Sequence, residues 1–245
     1  TARVGPVSAK FKGKLTLSEK IFSSNQAVLG VIERIVAPIG RRIDESSPLV
    51  DARLKDGSRV NAIIPPLALK GPCITIRKFK RDALRIEDLI RYKTLTAQMA
   101  EFLEMCVKAH KNMVISGGTG SGKTTTLNII SSFIPDDERI ITVEEPIEYV
   151  HGPVSSTVVT QREVGRDVDS FFDGLKYGLR QDPDVILLGE IRDRDTAQMA
   201  LSAAETGHLI LTTLHTKDAK GAVTRFVDLF PPDAQDDVRP QLALS

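Results

Sequence analysis

Residues 117–124 have the types and spacing needed to bind a phosphate. Their sequence, Gly-Gly-Thr-Gly-Ser-Gly-Lys-Thr, fits the P-loop pattern G-x-x-x-x-G-K-[ST]. Glycines let backbone N–H groups turn towards a phosphate, and the helix that follows adds partial positive charge. We expect Lys123 to reach the β- and γ-phosphates of a nucleotide and Thr124 to hold Mg²⁺. The alternative, a glycine-rich turn without a ligand, is disfavoured because a strand, the spacing and the Lys-Thr pair occur together. The predicted nucleotide-binding residues are Gly117, Gly118, Thr119, Gly120, Ser121, Gly122, Lys123, Thr124 and Thr125.

Two further segments end apolar strands on carboxylates. Residues 184–190 read Asp-Val-Ile-Leu-Leu-Gly-Glu, so Glu190 stands where P-loop enzymes usually have an aspartate. Glu190 would orient the attacking water or accept its proton, and would contact Mg²⁺ through water. Residues 141–148 end in an acidic cluster; Glu144 and Glu145 would point to opposite faces of a continuing strand, so that one of them faces the nucleotide. A solvated acidic turn is the alternative.

Two histidines, His208 and His215, lie seven residues apart in residues 206–216. Seven steps along a strand span roughly 23 Å, and an odd spacing places side chains on opposite faces, which argues against a shared metal ion. Each histidine would instead sense the γ-phosphate by hydrogen bonding, or serve only the structure.

Arginines near the transferred phosphate raise phosphoryl-transfer rates by roughly 10³–10⁵. Arg180, Arg192 and Arg194 have acidic neighbours in the sequence and favour local ion pairs. Arg53 and Arg59 flank a tight turn predicted at Asp56-Gly57, and are the best-placed pair by pattern alone. The other basic candidates, which include Arg41, Arg42 and Arg77, read as surface charges.

Strands and helices alternate after Thr96, which predicts an α/β domain with a mostly parallel sheet and helices on both faces. Ligands of such sheets gather at the carboxyl ends of the strands. The preceding region has the turn signals and short strands of a small α+β domain. The predicted organisation is residues 1–80 for this N-terminal domain, 81–96 for a linker with a short helix over 86–90, and 97–245 for the larger domain. The apolar pattern of residues 242–245 leads us to expect that the natural protein continues. The predicted strands are 14–17, 49–54, 59–64, 73–79, 113–116, 139–143, 185–188 and 209–213, and the predicted helices are 28–37, 97–110, 124–133, 171–180, 196–204 and 219–229.

The helix predicted over 97–110 is amphipathic and capped by Thr96. Its pattern predicts that Met99, Phe102, Leu103 and Cys106 face inward.

The composition is that of a globular protein, with 41% apolar and 27% charged residues among 245. No apolar run approaches the ~20 residues that cross a bilayer. Cys73 and Cys106 are expected to be reduced core thiols of a cytosolic protein, and a disulfide is the alternative. Charge is uneven, because residues 1–96 hold 19 basic and 9 acidic side chains and residues 97–245 hold 14 and 23. Opposite faces of these two parts would attract one another, within a chain or between subunits; ordinary solvated surface is the alternative.

These motifs together resemble the ATPase superfamily that powers type II and type IV secretion and type IV pili. Residues 40–67, 75–79 and 116–125 resemble the CpaF-type ATPases of Flp (tight adherence) pili. The later segments resemble the PilT/GspE type instead, and these segments are residues 143–151, 161–165, 179–193 and 203–208.

The resemblance implies a small N-terminal domain followed by a RecA-like, Mg²⁺-dependent ATPase domain. Six subunits would form a ring, and nucleotide would bind between the two domains. It implies that Lys123 and Thr124 form the Walker A pair and that Glu190 is the Walker B glutamate. Glu144 and Glu145 match the Asp box, with Glu145 where aspartate is usual, and His208 and His215 match the His box. The arginines that reach the γ-phosphate would come from the N-terminal domain, with Arg77 first, Arg53 second and Arg59 third.

The resulting hypothesis is a homohexameric motor in the cytoplasm at the inner membrane, attached through a platform protein of a pilus or secretion machine. One rival is a RecA-like nucleic-acid translocase, although 5% aromatic residues and no Trp offer little for base stacking. A nucleotide-sensing assembly module with little turnover is a second rival. A small-molecule kinase is a third, but no segment marks an acceptor site.

Overall fold

A computed structural model describes residues 5–11, 14–79, 84–151 and 158–245. It divides the chain into two compact units, residues 1–81 and 82–245. Residues 80–83, where the predicted linker begins, lie outside the described part. The short helix expected near residues 86–90 is present as α2 (Ile86–Arg91).

Unit 1 combines a hairpin, one helix and a three-stranded antiparallel sheet. The predicted helix buries Val28, Ile32 and Val36, which are spaced four residues apart, and Ser24 caps its first turn. These side chains pack with Val60 and Ile74 of the sheet. The elements of unit 1 are β1 (Gly5–Phe11), β2 (Lys14–Phe22), α1 (Asn25–Val36), β3 (Leu49–Arg53), β4 (Arg59–Ile63) and β5 (Cys73–Arg77).

The turn predicted at Asp56-Gly57 joins β3 to β4. Gly57 has a φ of +88°, and a Cβ atom there would lie 2.9 Å from the Phe79 ring. Both the left-handed backbone and the lack of space require glycine at this position.

Within the described residues, unit 2 is built on a sheet of five parallel strands in the order β6-β10-β9-β7-β8. The fold class predicted from the alternation of strands and helices is therefore confirmed. The elements of unit 2 are α2 (Ile86–Arg91), α3 (Ala97–Lys108), β6 (Met113–Ser116), α4 (Lys123–Ile130), β7 (Ile140–Glu144), β8 (Val159–Glu163), α5 (Phe171–Gly178), β9 (Val185–Leu188), α6 (Arg194–Glu205), β10 (Leu209–Leu214), α7 (Ala219–Val227) and α8 (Gln235–Leu244).

Helices cover both faces of this sheet. Leu209 and Leu211 of β10 pack in one core with α3 and α4. Ile210 and Leu214, from alternate positions of the same strand, pack in a second core with α5 to α8. Because the strands are parallel, the segments that follow β6, β7, β9 and β10 all emerge at one edge.

The prediction for the buried face of α3 is confirmed for Leu103, which packs against the core that contains Val107, and is wrong for Met99 and Phe102. Thr96 caps the helix as predicted, but the side chains of Met99 and Phe102 are more than half exposed. The helix instead buries Ala100 and Val107. Apolar residues of α3 lie on several faces of the helix, so periodicity alone could not identify the face that is buried.

No helix in the described residues is long and apolar enough to span a membrane.

Candidate active site

The P-loop runs from the end of β6 to the start of α4, as its sequence predicts. Gly117 makes a close approach, because a Cβ atom there would lie 2.4 Å from Ser121 Oγ. Gly122 precedes α4 with a φ of +91°. A side chain at Gly117 would collide with Ser121, and one at Gly122 would strain a left-handed backbone, so both positions favour glycine. Thr124 and Thr125 lie in the first turn of α4.

Lys123 is buried although it carries a charge. Its Nζ atom lies 3.4 Å from the carbonyl oxygen of Gly118, and 3.4 and 3.5 Å from the two ring nitrogens of His215. Within the described part of the chain, this carbonyl oxygen and the His215 ring are the hydrogen-bond partners of Lys123. An ammonium group held in a buried position by contacts of this length is well suited to receive an anion.

Glu190 follows β9 at the same edge of the sheet. Its side chain is only 13% exposed. Arg192 donates a hydrogen bond to Glu190 Oε1, and His215 Nε2 lies 3.4 Å from Oε2. Thr213 Oγ1 donates to the carbonyl oxygen of Gly189 at 2.7 Å, which fixes the backbone just before the carboxylate. Glu190 therefore has a defined position across a cleft from Lys123.

This cleft brings together six of the residues predicted in unit 2, which are Lys123, Thr124, Glu144, Glu145, Glu190 and His215. P-loop, acidic-cluster and His-box side chains all contribute to it, along with apolar and small residues. The lining residues are Lys123, Thr124, Glu144, Glu145, Pro146, Glu148, Phe171, Gly189, Glu190, Thr213 and His215.

Glu144 is the most deeply buried carboxyl group of this cleft, with 1% of the residue exposed. Its Oε1 accepts hydrogen bonds from Thr142 Oγ1 at 2.7 Å and Gln161 Nε2 at 3.1 Å. Its Oε2 has no hydrogen-bond partner among the described residues. Burial raises the pKa of Glu144 above its ordinary value, and the bonds from Thr142 and Gln161 act in the opposite direction.

The alternation expected for Glu144 and Glu145 does not separate them. β7 ends at Glu144, so the strand geometry does not continue, and both carboxylates line the cleft. Glu145 Oε2 accepts a hydrogen bond from Arg192 Nη1 at 2.5 Å. This satisfies the ion pair that the sequence favoured for Arg192, whereas Arg180 packs over the Tyr177 ring.

Gln161 in β8 is a site residue that sequence reasoning missed. Besides Glu144, its Nε2 donates to the carbonyl oxygen of Tyr149 at 2.8 Å, and its Oε1 accepts from the backbone N–H of His151 at 3.0 Å. Glu163 Oε2, two residues along β8, accepts from the backbone N–H of Ile147 at 3.2 Å. These bonds attach residues 145–151 to the edge strand. The available signal was the segment 161–165, which carries part of the family resemblance.

The structure does not bring His208 to this cleft. His208 precedes β10, at the end of the parallel sheet opposite to the P-loop. Its Nδ1 lies 3.0 Å from the carbonyl oxygen of Ala203 and 3.1 Å from Thr206 Oγ1, at the carboxyl end of α6. Because one strand separates the two histidines, only His215 reaches the site within the unit.

The three arginines predicted from the N-terminal domain lie in one row of unit 1. Arg53 pairs with Arg59 across β3 and β4, and Arg59 pairs with Arg77 across β4 and β5. Directly paired residues share a face, and like charges placed so close destabilise a sheet. Asp51 offsets part of this charge, with Oδ2 3.6 Å from Arg59 Nη2. A row of this kind favours an anion in front of it.

The raised pKa of Glu144 leads to a prediction about stability. A carboxyl group whose pKa is higher in the folded state stabilises the fold below its unfolded pKa, and this contribution is lost as pH rises through the folded pKa. We expect Glu144→Gln to gain stability relative to the wild type as pH rises from 4.5, by a few degrees in Tm at most. Thermal unfolding between pH 4.5 and 8 measures the difference. Glu101→Gln, at an exposed position of α3, is the control, and a difference for Glu144→Gln that stays constant with pH would contradict the prediction.

Comparison with known proteins identifies the family. The model of a family described as type II/IV secretion system protein matches residues 13–235. The chain belongs to this family. The superfamily inferred from the motifs is thereby confirmed.

Relatives of this secretion family include pilus motors. A twitching motility protein of Neisseria gonorrhoeae is 39% identical over 179 residues, which cover 72% of this chain and 46% of the relative. The type IV pilus retraction ATPase PilT of Pseudomonas aeruginosa is 45% identical over 135 residues, which cover 54% of this chain and 39% of the relative. The chain thus spans less than half the length of these two relatives.

A solved structure of the pilus retraction motor PilT with bound ADP is similar over the whole chain. The TM-score is 0.77 and the identity is 32%, covering 100% of this chain and 70% of PilT. Homologues in this family are therefore nucleotide-binding ATPases, and the fold of this chain is theirs.

Proposed function

We propose that this chain is the ATP-hydrolysing part of a homohexameric motor. The motor would drive assembly or retraction of type IV or Flp pili, or type II/IV secretion, by domain closure around ATP. The observation that carries the proposal is the cleft of unit 2, in which Lys123 and Thr124 of the P-loop face Glu190 and His215. Phosphate-binding and water-activating groups are the two requirements of nucleotide hydrolysis.

Each side chain has a definite task in this proposal. Lys123 would leave His215 and Gly118 to bind the β- and γ-phosphates. Glu190 would orient the attacking water and accept its proton, and His215 would hydrogen-bond the γ-phosphate. Glu144 and Glu145 would complete the acidic side of the cleft.

Thr124 and Glu190 would hold Mg²⁺, Glu190 through a water molecule. Hydroxyl and carboxylate oxygens are donors that Mg²⁺ prefers, and both residues line the cleft. When bound, Mg²⁺ would offset the negative charge of the β- and γ-phosphates.

The arginine row supports a nucleotide placed between the two units, either of one chain or of neighbouring subunits. ATP carries negative charge that Arg77, Arg53 and Arg59 would offset. The excess of basic residues before residue 97 and of acidic residues after it also favours this arrangement.

We propose a membrane platform protein as the partner because the chain belongs to the type II/IV secretion family. The motor would act in the cytoplasm on a platform protein of the inner membrane, and its membrane association would be indirect. Nucleic acid is not part of the proposed reaction.

The test is Mg²⁺-dependent ATP hydrolysis measured against protein concentration, with light-scattering mass recorded on the same samples. We expect activity per subunit to rise as rings form and to require Mg²⁺. ATP binding without turnover in assembled rings would contradict the proposal and favour a nucleotide-sensing module. Hydrolysis that depends on added nucleic acid would favour a translocase.

The two histidines give a matched pair of variants. We expect His215→Ala to lower kcat by about 10²-fold, because one donor to the transferring phosphate is lost. His208→Ala should leave kcat within about twofold and lower stability by about 1 kcal/mol, because it removes a hydrogen bond at the end of α6. Steady-state hydrolysis and thermal unfolding of both variants measure this, and equal losses of kcat would contradict the assignment.

A further inference from the structure

Arg192 lies between two carboxylates of the cleft. Its Nη1 donates to Glu145 Oε2 at 2.5 Å, and its Nη2 donates to Glu190 Oε1. Its guanidinium lies over the ring of Phe171, with 5.8 Å between the guanidinium carbon and the ring centroid. Three separate segments, one after β7, one after β9 and the start of α5, therefore meet at this side chain.

The backbone around Arg192 is also held in place. The N–H of Ile191 donates to the carbonyl oxygen of Thr213 at 3.3 Å. Asp193 Oδ1 accepts from the N–H of Thr196 at 2.8 Å, which caps the first turn of α6. The guanidinium thus extends from a short segment fixed on both sides.

Charge explains why the bridge is needed. The acidic groups that line the cleft are Glu144, Glu145, Glu148 and Glu190, and its basic groups are Lys123 and His215. Glu145 and Glu190 would repel each other without a cation between them, and Arg192 contacts both. The side chain of Glu190 is 13% exposed and that of Arg192 is 55% exposed, so this charge-assisted bond lies at the border between the cleft and solvent.

We propose that Arg192 is a positioning residue, which joins Glu145 to Glu190 and thereby holds the Glu190 carboxylate directed into the cleft. This inference rests on the proposed function, since it assigns Glu190 to water activation. A planar guanidinium binds two carboxylates at once through its fixed donors, which a lysine ammonium group does not reproduce. His215 lies near the second oxygen of Glu190 and helps to fix the orientation of its carboxylate.

The experiment compares Arg192→Gln and Arg192→Lys with the wild type in Mg²⁺-ATP hydrolysis. We expect Arg192→Gln to lower kcat by about 10- to 100-fold, because a small misplacement of a reacting group has effects of this size. KM and the affinity for ATP should stay within about twofold, since Arg192 does not contact the P-loop side chains. Arg192→Lys should lie between the two. Arg194→Gln, two residues along and exposed, is the matched control and should match the wild type.

A double variant separates positioning from simple stabilisation. Glu145→Gln alone should lower kcat in the same direction, and should have little further effect when Arg192 is already Gln, because both changes break one bridge. If Arg192 has only a structural role, its substitution should lower Tm, and the fold-losses of kcat in the two single variants should multiply in the double variant. That result would overturn the inference. If the wild type is active and Arg192→Gln has the same kcat, the inference about Arg192 is also overturned, but the proposed function is not. An inactive wild type overturns both.

Discussion

Glu190→Gln is expected to lower kcat for ATP by about 10³-fold or more while ATP still binds. General-base assistance contributes roughly 10²–10⁴ in rate, and the amide cannot accept the proton of the attacking water. Binding should persist because the substitution leaves Lys123 and the P-loop unchanged. The nearly equal size of Gln and Glu keeps the packing of this largely buried side chain.

Single-turnover hydrolysis and equilibrium binding of a fluorescent ATP analogue measure the two quantities separately. Glu205→Gln, the same change at an exposed position of α6, is the control. If Glu190→Gln keeps more than about a tenth of the wild-type kcat, a value far above the general-base expectation, Glu190 is not the base. Loss of turnover in Glu144→Gln alone would then assign that role to the buried carboxyl group.

The second large effect is expected from Arg77. Its removal should lower kcat by about 10³-fold, at the lower end of the range for arginines that stabilise a transferring phosphate, because Arg53 and Arg59 in the same row share the charge. Unit 1 should become slightly more stable, since three like charges become two. Arg53→Ala and Arg59→Ala should have smaller effects on kcat.

Hydrolysis by Arg77→Ala is measured against Lys78→Ala, which removes a neighbouring exposed positive charge outside the row. A uniform loss in both variants would point to general electrostatic attraction of ATP, and a unit 1 contribution to the phosphate would be wrong. A specific loss of kcat in Arg77→Ala that persists at saturating ATP would support a nucleotide held between the units.

Sequence reasoning predicted the position of residues correctly where the signal lies in consecutive residues. The strand, loop and helix of the P-loop could be predicted because glycines, Lys123 and the apolar strand β6 are adjacent in the chain. Glu190 could be placed because an apolar run leads directly to it. Arg53 and Arg59 could be grouped because they flank the predicted turn at Asp56-Gly57, whereas Arg77 joins their row through the pairing of β4 with β5.

The missing parts depend on contacts between distant segments. β8 has the sequence Val-Thr-Gln-Arg-Glu, whose polarity hides a half-buried edge strand, so the bonds of Gln161 were not foreseen. The bridge from Arg192 to Glu145 requires β7 and β9 to be neighbours in the sheet. Arg192 and Glu145 are 47 residues apart in the chain, and the sequence gives no sign that they meet. The His box of the resemblance contains both His208 and His215. Strand β10 lies between them and places them at opposite ends of the sheet.

The bonds of Gln161 have a mechanical consequence for the edge of the sheet. One amide group serves both buried Glu144 and the backbone of residues 149 and 151. A shift of residues 145–151 away from β8 would break the bonds of Gln161 to the backbone of residues 149 and 151 and the bond of Glu163 to the backbone of Ile147, and the loss of these bonds costs free energy. Residues 145–151 and β8 are therefore expected to travel as one rigid piece, and any stroke that displaces Glu145 would carry the edge strand with it.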